Sequence, residues 1–537
     1  VDESLYLFLK DKTRISEDKL RSLISYDLED DNSSPLNEEE KDKIAQALSS
    51  IKILDPACGS GAFPIGALQK IVFILQQIDQ HGQLWFKKQI QNTPIELRKV
   101  IEREFQEKNF DYIRKLGIIR ENIYGIDIQP IATEISRLRC FLTLVVDERI
   151  DDTLENRGIE PLPNLDFKFV TANTLIGLPT TLGTTSQVGL FEDNEGINEL
   201  KEVRDMFFNA SGFERDQLKL QFYQIQKGML QRLIDESRRG HADLTSKLTT
   251  WDPFSHKMAS WFDPEWMFGI KEGFDVVIAN PPYISHVNYK YEDKPILRSL
   301  YKTYSGRADV YVVFYEKALK LARKHGTVAY ITPNKFFRAG YGAKLRELFF
   351  REIQVVSVVD FGDTPIFDAT TYPAVLILKN DSPADYKFKY IKSSEISKFA
   401  SKDLGQLFDK QYLSSNIWSF SNDEMSKIWK NINNNSVLLK QYINDQFFRG
   451  IVTGLNEAFL IDDNQTQIIL NENPEASEII KPYLRGKDSK RWVSDAKVNL
   501  IFTFHGVDIT RYPAVEKYLR QFKVKLEKRA TSANHKW

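Results

Sequence analysis

Cysteine and histidine are scarce in this sequence of 537 residues. The cysteines are Cys58 and Cys140, and the seven histidines are scattered along the chain. Two cysteines are too few for a disulfide framework or a four-cysteine zinc site. No two histidines have the spacing of a zinc ligand pair on one helix. We therefore expect no metal site.

Long hydrophobic runs are also lacking. No apolar stretch approaches the roughly 18 residues of a membrane span, and no signal-peptide pattern is visible. The composition, with 42% hydrophobic and 27% charged residues, is ordinary for a globular protein. We expect a cytoplasmic protein, and its length predicts two or more domains.

Neither sign of charge dominates, since the formal net charge is -1, but the charge is unevenly distributed. Residues 386–537 contain 24 lysines and arginines against 17 acidic residues, and within them residues 481–537 contain 14 against 5. A basic carboxyl-terminal region indicates a polyanionic partner. The alternative is a lysine-rich surface that only contacts solvent.

The most informative stretch is Asn280-Pro281-Pro282-Tyr283. It closes an apolar run, residues 274–279, that is typical of a buried strand. Two prolines can continue neither a strand nor a helix, so we expect a rigid turn at a strand end, where open α/β sheets bind ligands. An amide, proline carbonyls and an aromatic ring suit the edge and face of a nucleobase. The alternative is a proline-stiffened surface turn.

A glycine turn follows an earlier strand candidate. Residues 51–54 predict a buried strand, residues 55–61 a turn and residues 62–78 a long helix. This order is typical of nucleotide sites, because glycines let a ligand approach the backbone and a helix start offers free amide hydrogens. The phosphate-binding fingerprints do not match, since Ala62 and Phe63 follow Gly61 and Pro64 stands where a third glycine is needed. Asp55 suits a ligand with a cationic group.

Two further strand candidates end in polar residues. Residues 122–128 contain Asp127, whose carboxylate suits ribose hydroxyls, and residues 167–170 precede Asn173. Helical patterns alternate with these strands, which predicts a parallel doubly wound sheet. The later strands, residues 355–361 and 374–378, have no long helix between them and predict an antiparallel hairpin at the sheet edge. Residues 514–529 predict one final helix with an apolar stripe.

Four short motifs follow one another along the chain: Asp55-Pro56-Ala57-Cys58-Gly59-Ser60-Gly61, Gly125-Ile126-Asp127, Ala172-Asn173-Thr174 and Asn280-Pro281-Pro282-Tyr283. Together they resemble the motifs of gamma-class DNA adenine-N6 methyltransferases. Among these enzymes the chain is most similar to the type IIG restriction–modification enzymes. Three features carry this similarity: the longer first motif, a charged helix-forming insertion and the tail that begins near Arg449. In that family one polypeptide carries nuclease, methyltransferase and target-recognition regions.

The resemblance implies an α/β, Rossmann-like S-adenosylmethionine-dependent methyltransferase fold with a helical insertion at about residues 184–262. Residues 1–385 would form the catalytic domain. Residues 386–537 would form a spacer and an α+β target-recognition domain, which we expect to be truncated. The implied cofactor is S-adenosylmethionine and the implied partner is double-stranded DNA. The cofactor-binding residues implied by the motifs are Asp55, Pro56, Ala57, Gly59, Gly61, Asp127, Ile128 and Asn173.

Within these sets the resemblance gives several residues a role. Asp127 would bind the ribose hydroxyls and Asn173 the adenine edge of the cofactor. Asn280 and Pro281 would accept hydrogen bonds from the target amino group. The stacking residues would be Tyr283 and, on the other face of the base, Phe367, with Tyr372 as its rival. Pro282 completes the catalytic set, and the DNA-binding candidates are Arg449, Lys481, Arg485, Lys487, Lys490 and Arg491.

The implied function is that of a site-specific adenine DNA methyltransferase, EC 2.1.1.72, in a restriction–modification system. Cytosine-N4 methylation is an alternative, since the same tetrapeptide occurs in those enzymes. Enzymes that methylate a glutamine amide of a protein share it too, but they lack a basic recognition module. Methylation of cytosine C5 is excluded, because that reaction needs a thiol that usually follows proline, and Cys58 and Cys140 follow Ala57 and Arg139.

Two departures from the family pattern stand out. The threonine–proline element that helps to close the cofactor site is missing upstream of the helix predicted near residue 3. No assembled PD-(D/E)xK nuclease is found either, so cleavage is not predicted for this chain. We expect the chain to be a fragment of a full-length polypeptide that carries the nuclease region. A DNA-binding fragment that is inactive through loss of the closing element is therefore a second alternative.

Overall fold

The computed structural model describes the chain except residues 26–34, 93–97, 99–101, 103–108, 149–150, 154, 160, 179–193, 237–250, 286–287, 289–292, 365, 368–371, 393–404, 415–416, 421–427, 429–430, 433, 445, 447–449, 452, 486–487, 491–492, 495, 505 and 528–537. The chain divides into two compact units, Val1–Ser421 and Asn422–Trp537. This division lies beyond the boundary expected at residue 386. The reason is that residues 387–392 and 406–409 pair with the sheet of the first unit.

The first unit alternates helices and strands, as the sequence predicts. It begins with α1 (Asp2–Thr13), α2 (Glu17–Ile24), α3 (Glu38–Ser50), β1 (Ile53–Asp55), α4 (Ala62–Ile78), α5 (Gln83–Asn92), α6 (Phe110–Glu121), β2 (Ile123–Asp127), α7 (Pro130–Val145) and β3 (Phe169–Thr171). The predicted helical insertion is confirmed by two helices, α8 (Asn194–Phe207) and α9 (Gly212–Glu236).

After the insertion the chain returns to the sheet. The elements of this second half are α10 (Pro264–Phe268), β4 (Phe274–Ala279), α11 (Asp293–Leu300), α12 (Tyr311–Leu321), β5 (Ala322–Pro333), α13 (Ala343–Glu352), β6 (Gln354–Asp360), β7 (Pro373–Lys379), β8 (Lys387–Lys392) and β9 (Gln406–Asp409). Short 3-10 turns join several of them, including Asn334–Phe337 directly after β5.

Across the described residues, nine strands form one sheet in the order β3-β2-β1-β4-β5-β7-β6-β8-β9. The strands β1 to β5 are parallel, and β7 is antiparallel to both of its neighbours. The Rossmann-like fold is therefore confirmed. The β6–β7 pair is antiparallel as predicted, but it lies inside the sheet and not at its edge, because β8 pairs with β6.

The chain order reverses between β1 and β4. The strands β2 and β3 lie on one side of β1, whereas β4 and β5 lie on the other. In open α/β sheets, ligands bind at the carboxyl ends of the strands that flank such a reversal. The glycine turn follows β1 and the Asn280 turn follows β4, so both lie at this position.

Strand β4 is buried along its whole length. Val276 and Ile278 pack into the core formed with the amino-terminal helices. Val277 and Ala279 point to the other face and pack in the core that contains Trp266. Helices thus cover both faces of the strand, which explains its continuously apolar sequence and seats the turn that follows it on a fixed element.

The second unit has α+β structure, as predicted. Its elements are α14 (Leu439–Tyr442), α15 (Asn456–Phe459), β10 (Leu460–Ile461), α16 (Asp463–Glu472), β11 (Ile480–Tyr483), β12 (Ser489–Lys490), β13 (Val493–Ser494), β14 (Val498–Ile501), α17 (Pro513–Arg520) and α18 (Lys523–Glu527). The prediction of one final helix over residues 514–529 is wrong, because two helices are present there. A turn at Gln521 and Phe522 interrupts it, where the N–H of Phe522 donates to the Leu519 carbonyl at 3.0 Å.

Within the described part of the chain, no helix is long and apolar enough to span a bilayer. The same residues contain no group of three or more histidine, cysteine, aspartate or glutamate side chains that could hold a metal ion.

Candidate functional site

The two turns singled out by the sequence begin on adjacent strands. Leu54 of β1 pairs in parallel with Val277 of β4, so Asp55 and Asn280 leave the sheet at the same edge. If the Asn280 turn binds a nucleobase for methylation, it must lie beside the glycine turn. The sheet register places the two turns on adjacent strands. Their closeness makes one shared site possible.

The turn after β1 is bonded to its surroundings at several points. The N–H of Ala57 donates to the Asp55 carboxylate at 3.0 Å, and the N–H of Cys58 donates to the Ile126 carbonyl at 2.8 Å. The hydroxyl of Thr174 donates to the carbonyl of the buried Pro56 at 2.7 Å. The loop after β3 is thereby tied to the loop after β1.

Both glycines of the turn have left-handed backbone angles, with φ of +53° at Gly59 and +81° at Gly61. A Cβ added to Gly61 would lie 2.9 Å from Oγ of Ser136, so only glycine lets this residue pack against α7. A Cβ added to Gly59 would meet no atom within 4 Å. The space over Gly59 is therefore open to a ligand that approaches the backbone closely.

Helix α4 starts directly behind the turn, and Gly61 occupies its N-cap position. No side chain caps this helix end. An uncapped start leaves backbone N–H groups and the positive end of the helix dipole facing the turn, which favours a carboxylate there. The amino acid part of S-adenosylmethionine carries such a carboxylate.

Asp55 lies beneath the turn and is 1% exposed. Burial raises the pKa of its carboxyl to about 8, the Asp127 carboxylate adds to the rise, and the hydrogen bond from Ala57 opposes it. A ligand with a positively charged group beside Asp55 would favour the ionised form. The ammonium group of S-adenosylmethionine fits this requirement.

Asp127 ends β2 and faces the same turn. Its Oδ2 accepts a hydrogen bond from the N–H of Gly59 and its Oδ1 accepts one from the N–H of Gln129, both at 2.9 Å. Each carboxylate oxygen can accept a further hydrogen bond, so the pair suits the two hydroxyls of a ribose. Ile128, beside it, is 51% exposed and offers an apolar face to an adenine ring.

Asn173 lies in the loop after β3. Its N–H donates to the Ala259 carbonyl and its Oδ1 accepts from the N–H of Leu175 at 3.2 Å. No hydrogen bond from its amide Nδ2 is present among the described residues, so that group can face the edge of a purine. The residues around the glycine turn thus fit S-adenosylmethionine: a helix start, two carboxylates, an apolar face and an amide.

The Asn280 turn presents the side chain of its first residue outward. Asn280 is exposed, whereas Pro281 behind it is buried. Within the described residues the amide of Asn280 makes no hydrogen bond, so its oxygen is available to accept one from a ligand. The N–H of Val310 donates to the Ile284 carbonyl at 2.9 Å and fixes the chain beyond the tetrapeptide.

Tyr283 is held from two sides. Its hydroxyl donates to the Ile331 carbonyl at 3.3 Å, and its ring lies edge-on to Tyr311 with 6.3 Å between centroids. Burial raises the pKa of Tyr283 to about 12, so the phenol stays neutral. Tyr311 and Tyr315, which support this region from α12, were missed as site residues by the sequence reasoning, although their i,i+4 spacing on an aromatic-rich helix could have indicated one supporting face.

Of the two aromatic residues proposed for the second face of the base, the structure brings Phe367 to Tyr283. Their ring centroids are 6.5 Å apart and their planes are inclined by 68°. Tyr372 is 42% exposed, and the described residues include no ring contact between it and Tyr283. Its carbonyl instead accepts from the N–H of Asn334 at 2.8 Å.

The basic residues of the second unit differ in how accessible they are. Lys481 is exposed, and within the described residues its ammonium donates one hydrogen bond, a long one of 3.3 Å to the Ser477 carbonyl. The guanidinium of Arg485 donates to both carboxylate oxygens of Asp488, at 2.6 and 3.0 Å, so it is engaged within the unit. Lys490 lies on β12, whereas Arg449, Lys487 and Arg491 lie outside the described residues.

Two protein-family models match the first unit. The Eco57I restriction-modification methylase model matches residues 121–367, and the model of the MmeI DNA-methyltransferase domain matches residues 31–170. Together they cover the glycine turn, the Asp127 strand and the Asn280 turn. These matches confirm the resemblance to type IIG-like restriction–modification methyltransferases that the four motifs indicate.

Three curated relatives illustrate the similarity. The putative type II restriction enzyme and methyltransferase RM.MjaORFECS2P of Methanocaldococcus jannaschii is 25% identical over 57% of this chain and 28% of its own length. The Type II restriction enzyme and methyltransferase RM.Eco57I of Escherichia coli is 25% identical over 68% of this chain and 28% of its own. Type II methyltransferase M.BstVI of Geobacillus stearothermophilus is 23% identical over 57% of each. The chain therefore spans less than two thirds of each.

Solved structures of such enzymes align over much of the chain. The Type IIL restriction-modification enzyme MmeI in complex with DNA aligns over 91% of this chain and 50% of its own length, with 12% identity and a TM-score of 0.46. The type IIG restriction endonuclease BpuSI aligns over 98% and 49%, with 11% identity and a TM-score of 0.31.

Proposed function

We propose that this chain, whose methyltransferase region is of the restriction–modification type, methylates the exocyclic N6 amine of an adenine that is extruded from duplex DNA. The observation that carries the proposal is the adjacency of the two turns. The groups that suit S-adenosylmethionine follow β1, and the groups that suit a nucleobase edge and face follow β4, its neighbour. When bound, S-adenosylmethionine supplies an electrophilic methyl group.

The Asn280 turn would activate the amine by accepting its hydrogens. The lone pair of an adenine N6 amine is conjugated into the ring, which makes the nitrogen a poor nucleophile. The Oδ1 atom of Asn280 and the Pro281 carbonyl would accept hydrogen bonds from the two amine hydrogens and favour a tetrahedral nitrogen. They would also stabilise the positive charge that develops there, and one well-placed group of this kind contributes about 3 kcal/mol.

Tyr283 and Phe367 would hold the base outside the helix. Extrusion costs a few kcal/mol, because stacking and pairing in the duplex are lost. Stacking on an aromatic side chain contributes roughly 1–3 kcal/mol per base and offsets part of that cost. Tyr283 is suited to this role because its hydroxyl bond to Ile331 and its contact with Tyr311 fix the ring.

Cytosine-N4 methylation is the second candidate. Its amine is conjugated in the same way, so the Asn280 turn would serve it equally well. The order of the four motifs, which resembles that of the gamma-class adenine enzymes, favours adenine. The basic surplus in residues 481–537 favours DNA over a protein glutamine as the acceptor. A nuclease region elsewhere in the full-length polypeptide is part of this proposal.

The test is methylation by the chain itself. We would express it in a host that lacks its own DNA methyltransferases and analyse the DNA by nucleoside mass spectrometry and single-molecule sequencing. N6-methyladenine at one recurrent sequence supports the proposal, whereas N4-methylcytosine supports the second candidate. Neither base, together with no S-adenosylmethionine binding by calorimetry, would identify an inactive DNA-binding fragment.

A further inference from the structure

The Asp360 carboxylate, at the end of β6, joins three segments of the chain. Its Oδ1 accepts hydrogen bonds from Nδ2 of Asn334 at 2.9 Å and from the N–H of Gly362 at 3.1 Å. Its Oδ2 accepts from the hydroxyl of Tyr390 at 3.1 Å. Bonds to both oxygens fix the orientation of the carboxylate.

The bond to Asn334 reaches the part of β5 that supports Tyr283. Asn334 follows directly after β5, and its own N–H is bonded to the Tyr372 carbonyl. Three residues earlier, the Ile331 carbonyl accepts the hydroxyl of Tyr283. The strand end that holds the Tyr283 ring is therefore bonded to Asp360.

The bond to Gly362 reaches the loop that carries Phe367. Gly362 has a φ of +52°, and the N–H of Thr364 donates to the Phe361 carbonyl at 3.0 Å, so a tight turn opens the loop. The loop leads to Phe367, whose ring contacts that of Tyr283. The same carboxylate therefore fixes the start of the segment that bears the second ring.

We propose that Asp360 is a positioning residue that holds the Tyr283 and Phe367 rings beside each other, where an extruded base would stack on them. It acts through Asn334 on one side and Gly362 on the other. This inference rests on the proposed function, because the placement of the two rings matters only if a base stacks on them.

Three variants separate this role from a general structural one. Asp360→Ala removes all three hydrogen bonds. Asp360→Asn keeps an oxygen that can accept from both Asn334 and Gly362. Tyr390→Phe removes the bond to Oδ2 and leaves both bonds to Oδ1, and it keeps the ring that packs against Phe420. We expect the first variant to change the loop and the other two to behave much like the parent chain.

Hydrogen–deuterium exchange measures the loop without requiring any methylation. In Asp360→Ala the amides of residues 361–364 should exchange about tenfold faster, as expected when anchoring hydrogen bonds are lost. The amides of β7 should exchange as in the parent chain. Parental exchange rates in the loop would overturn the proposal.

The second measurement uses a duplex with 2-aminopurine at the methylated position, because this base fluoresces strongly when it leaves the stack. With Asp360→Ala, most of the fluorescence gain seen with the parent chain should be lost. Its kcat should also be about tenfold lower, because one stacking contact is lost. Its affinity for S-adenosylmethionine should stay within about twofold of the parent value, since the variant leaves the glycine turn intact.

Two outcomes would contradict the positioning role. One is a loosened loop with parental fluorescence and kcat. The other is an equal loss of fluorescence and kcat in all three variants, Asp360→Ala, Asp360→Asn and Tyr390→Phe, together with an equal fall in their melting temperatures. A parent chain that methylates no DNA would instead refute the proposed function, and the positioning role with it, whatever the exchange rates of the loop.

Discussion

The rings of Tyr283 and Phe367 lie 6.5 Å apart at an inclination of 68°, although they belong to the loops after β4 and β6. The two loops are therefore packed together where an extruded base would stack. Within the described residues, no hydrogen bond joins either ring to a residue of the glycine turn, and the hydroxyl of Tyr283 is bonded to Ile331 instead. Substitutions here should affect methyl transfer and leave cofactor binding unchanged.

The first prediction concerns the ring of Tyr283. Tyr283→Ala should lower kcat for DNA methylation by about 10- to 100-fold, which corresponds to the stacking free energy of one base. Tyr283→Phe keeps the ring and loses only the 3.3 Å bond to Ile331, so its kcat should stay within a few-fold of the parent. Equal losses in both variants, measured by tritiated-methyl transfer, would show that the hydroxyl and not the stacking face matters.

The second prediction concerns Asp127. Asp127→Ala should weaken S-adenosylmethionine binding more than about tenfold, because it removes both proposed ribose acceptors and the bond that holds Gly59. Isothermal titration calorimetry measures this directly. Asp216→Ala, which removes an exposed carboxylate of the insertion, is the matched control and should bind as the parent does. Parental affinity in Asp127→Ala would refute the assignment.

The third prediction is a dependence of stability on pH. Burial raises the pKa of Asp55 to about 8, above the value of about 4 in an unfolded chain. The folded protein therefore binds the proton more tightly, and the contribution of this group to stability is present in full at low pH and is lost as the pH rises through about 8.

Asp55→Asn does not titrate, so it isolates this effect. Between pH 6 and pH 9 the melting temperature of the parent chain should fall relative to that of Asp55→Asn. Differential scanning calorimetry without cofactor provides the comparison. A difference between the two melting temperatures that stays constant across this range would mean that Asp55 keeps an ordinary pKa.

The fourth prediction separates two basic residues of the second unit. Lys481 is exposed, so Lys481→Ala should weaken DNA binding about equally for all sequences. It should also reduce the slope of log K against log salt concentration by about one, the contribution of one phosphate contact. Arg485→Ala should in addition lower the melting temperature, because it removes both bonds to the Asp488 carboxylate. Fluorescence anisotropy at several salt concentrations measures the first effect. An unchanged salt slope in Lys481→Ala would exclude a phosphate contact by this residue.

Much of this architecture was predictable from local sequence. The apolar run of β4 and the two prolines behind it define a buried strand and a rigid turn, and the glycines after β1 require left-handed backbone angles. These features depend on short-range chemistry alone. The positions of the four motifs were predictable too, because parallel sheets bind ligands at the carboxyl ends of their strands.

The features that were not predictable depend on contacts between distant segments. The strand β8 joins the sheet because it pairs with β6, which nothing in the composition after residue 386 indicates. The engagement of Arg485 by Asp488 depends on a turn geometry that a count of charges does not contain. The bonds of Asp360, at the end of β6, reach Asn334 directly after β5 and Tyr390 on β8, and these partners can be found only once the sheet order is known.

The most direct test of the account is methyl transfer by Asn280→Ala. The exposed amide of Asn280 is proposed to accept a hydrogen from the target amine, so its loss should lower the rate of tritiated-methyl transfer by more than about 100-fold, the effect of one such group. Calorimetry of the same protein should give parental affinity for S-adenosylmethionine. Transfer at the parental rate, with binding intact, would contradict the catalytic role of this turn.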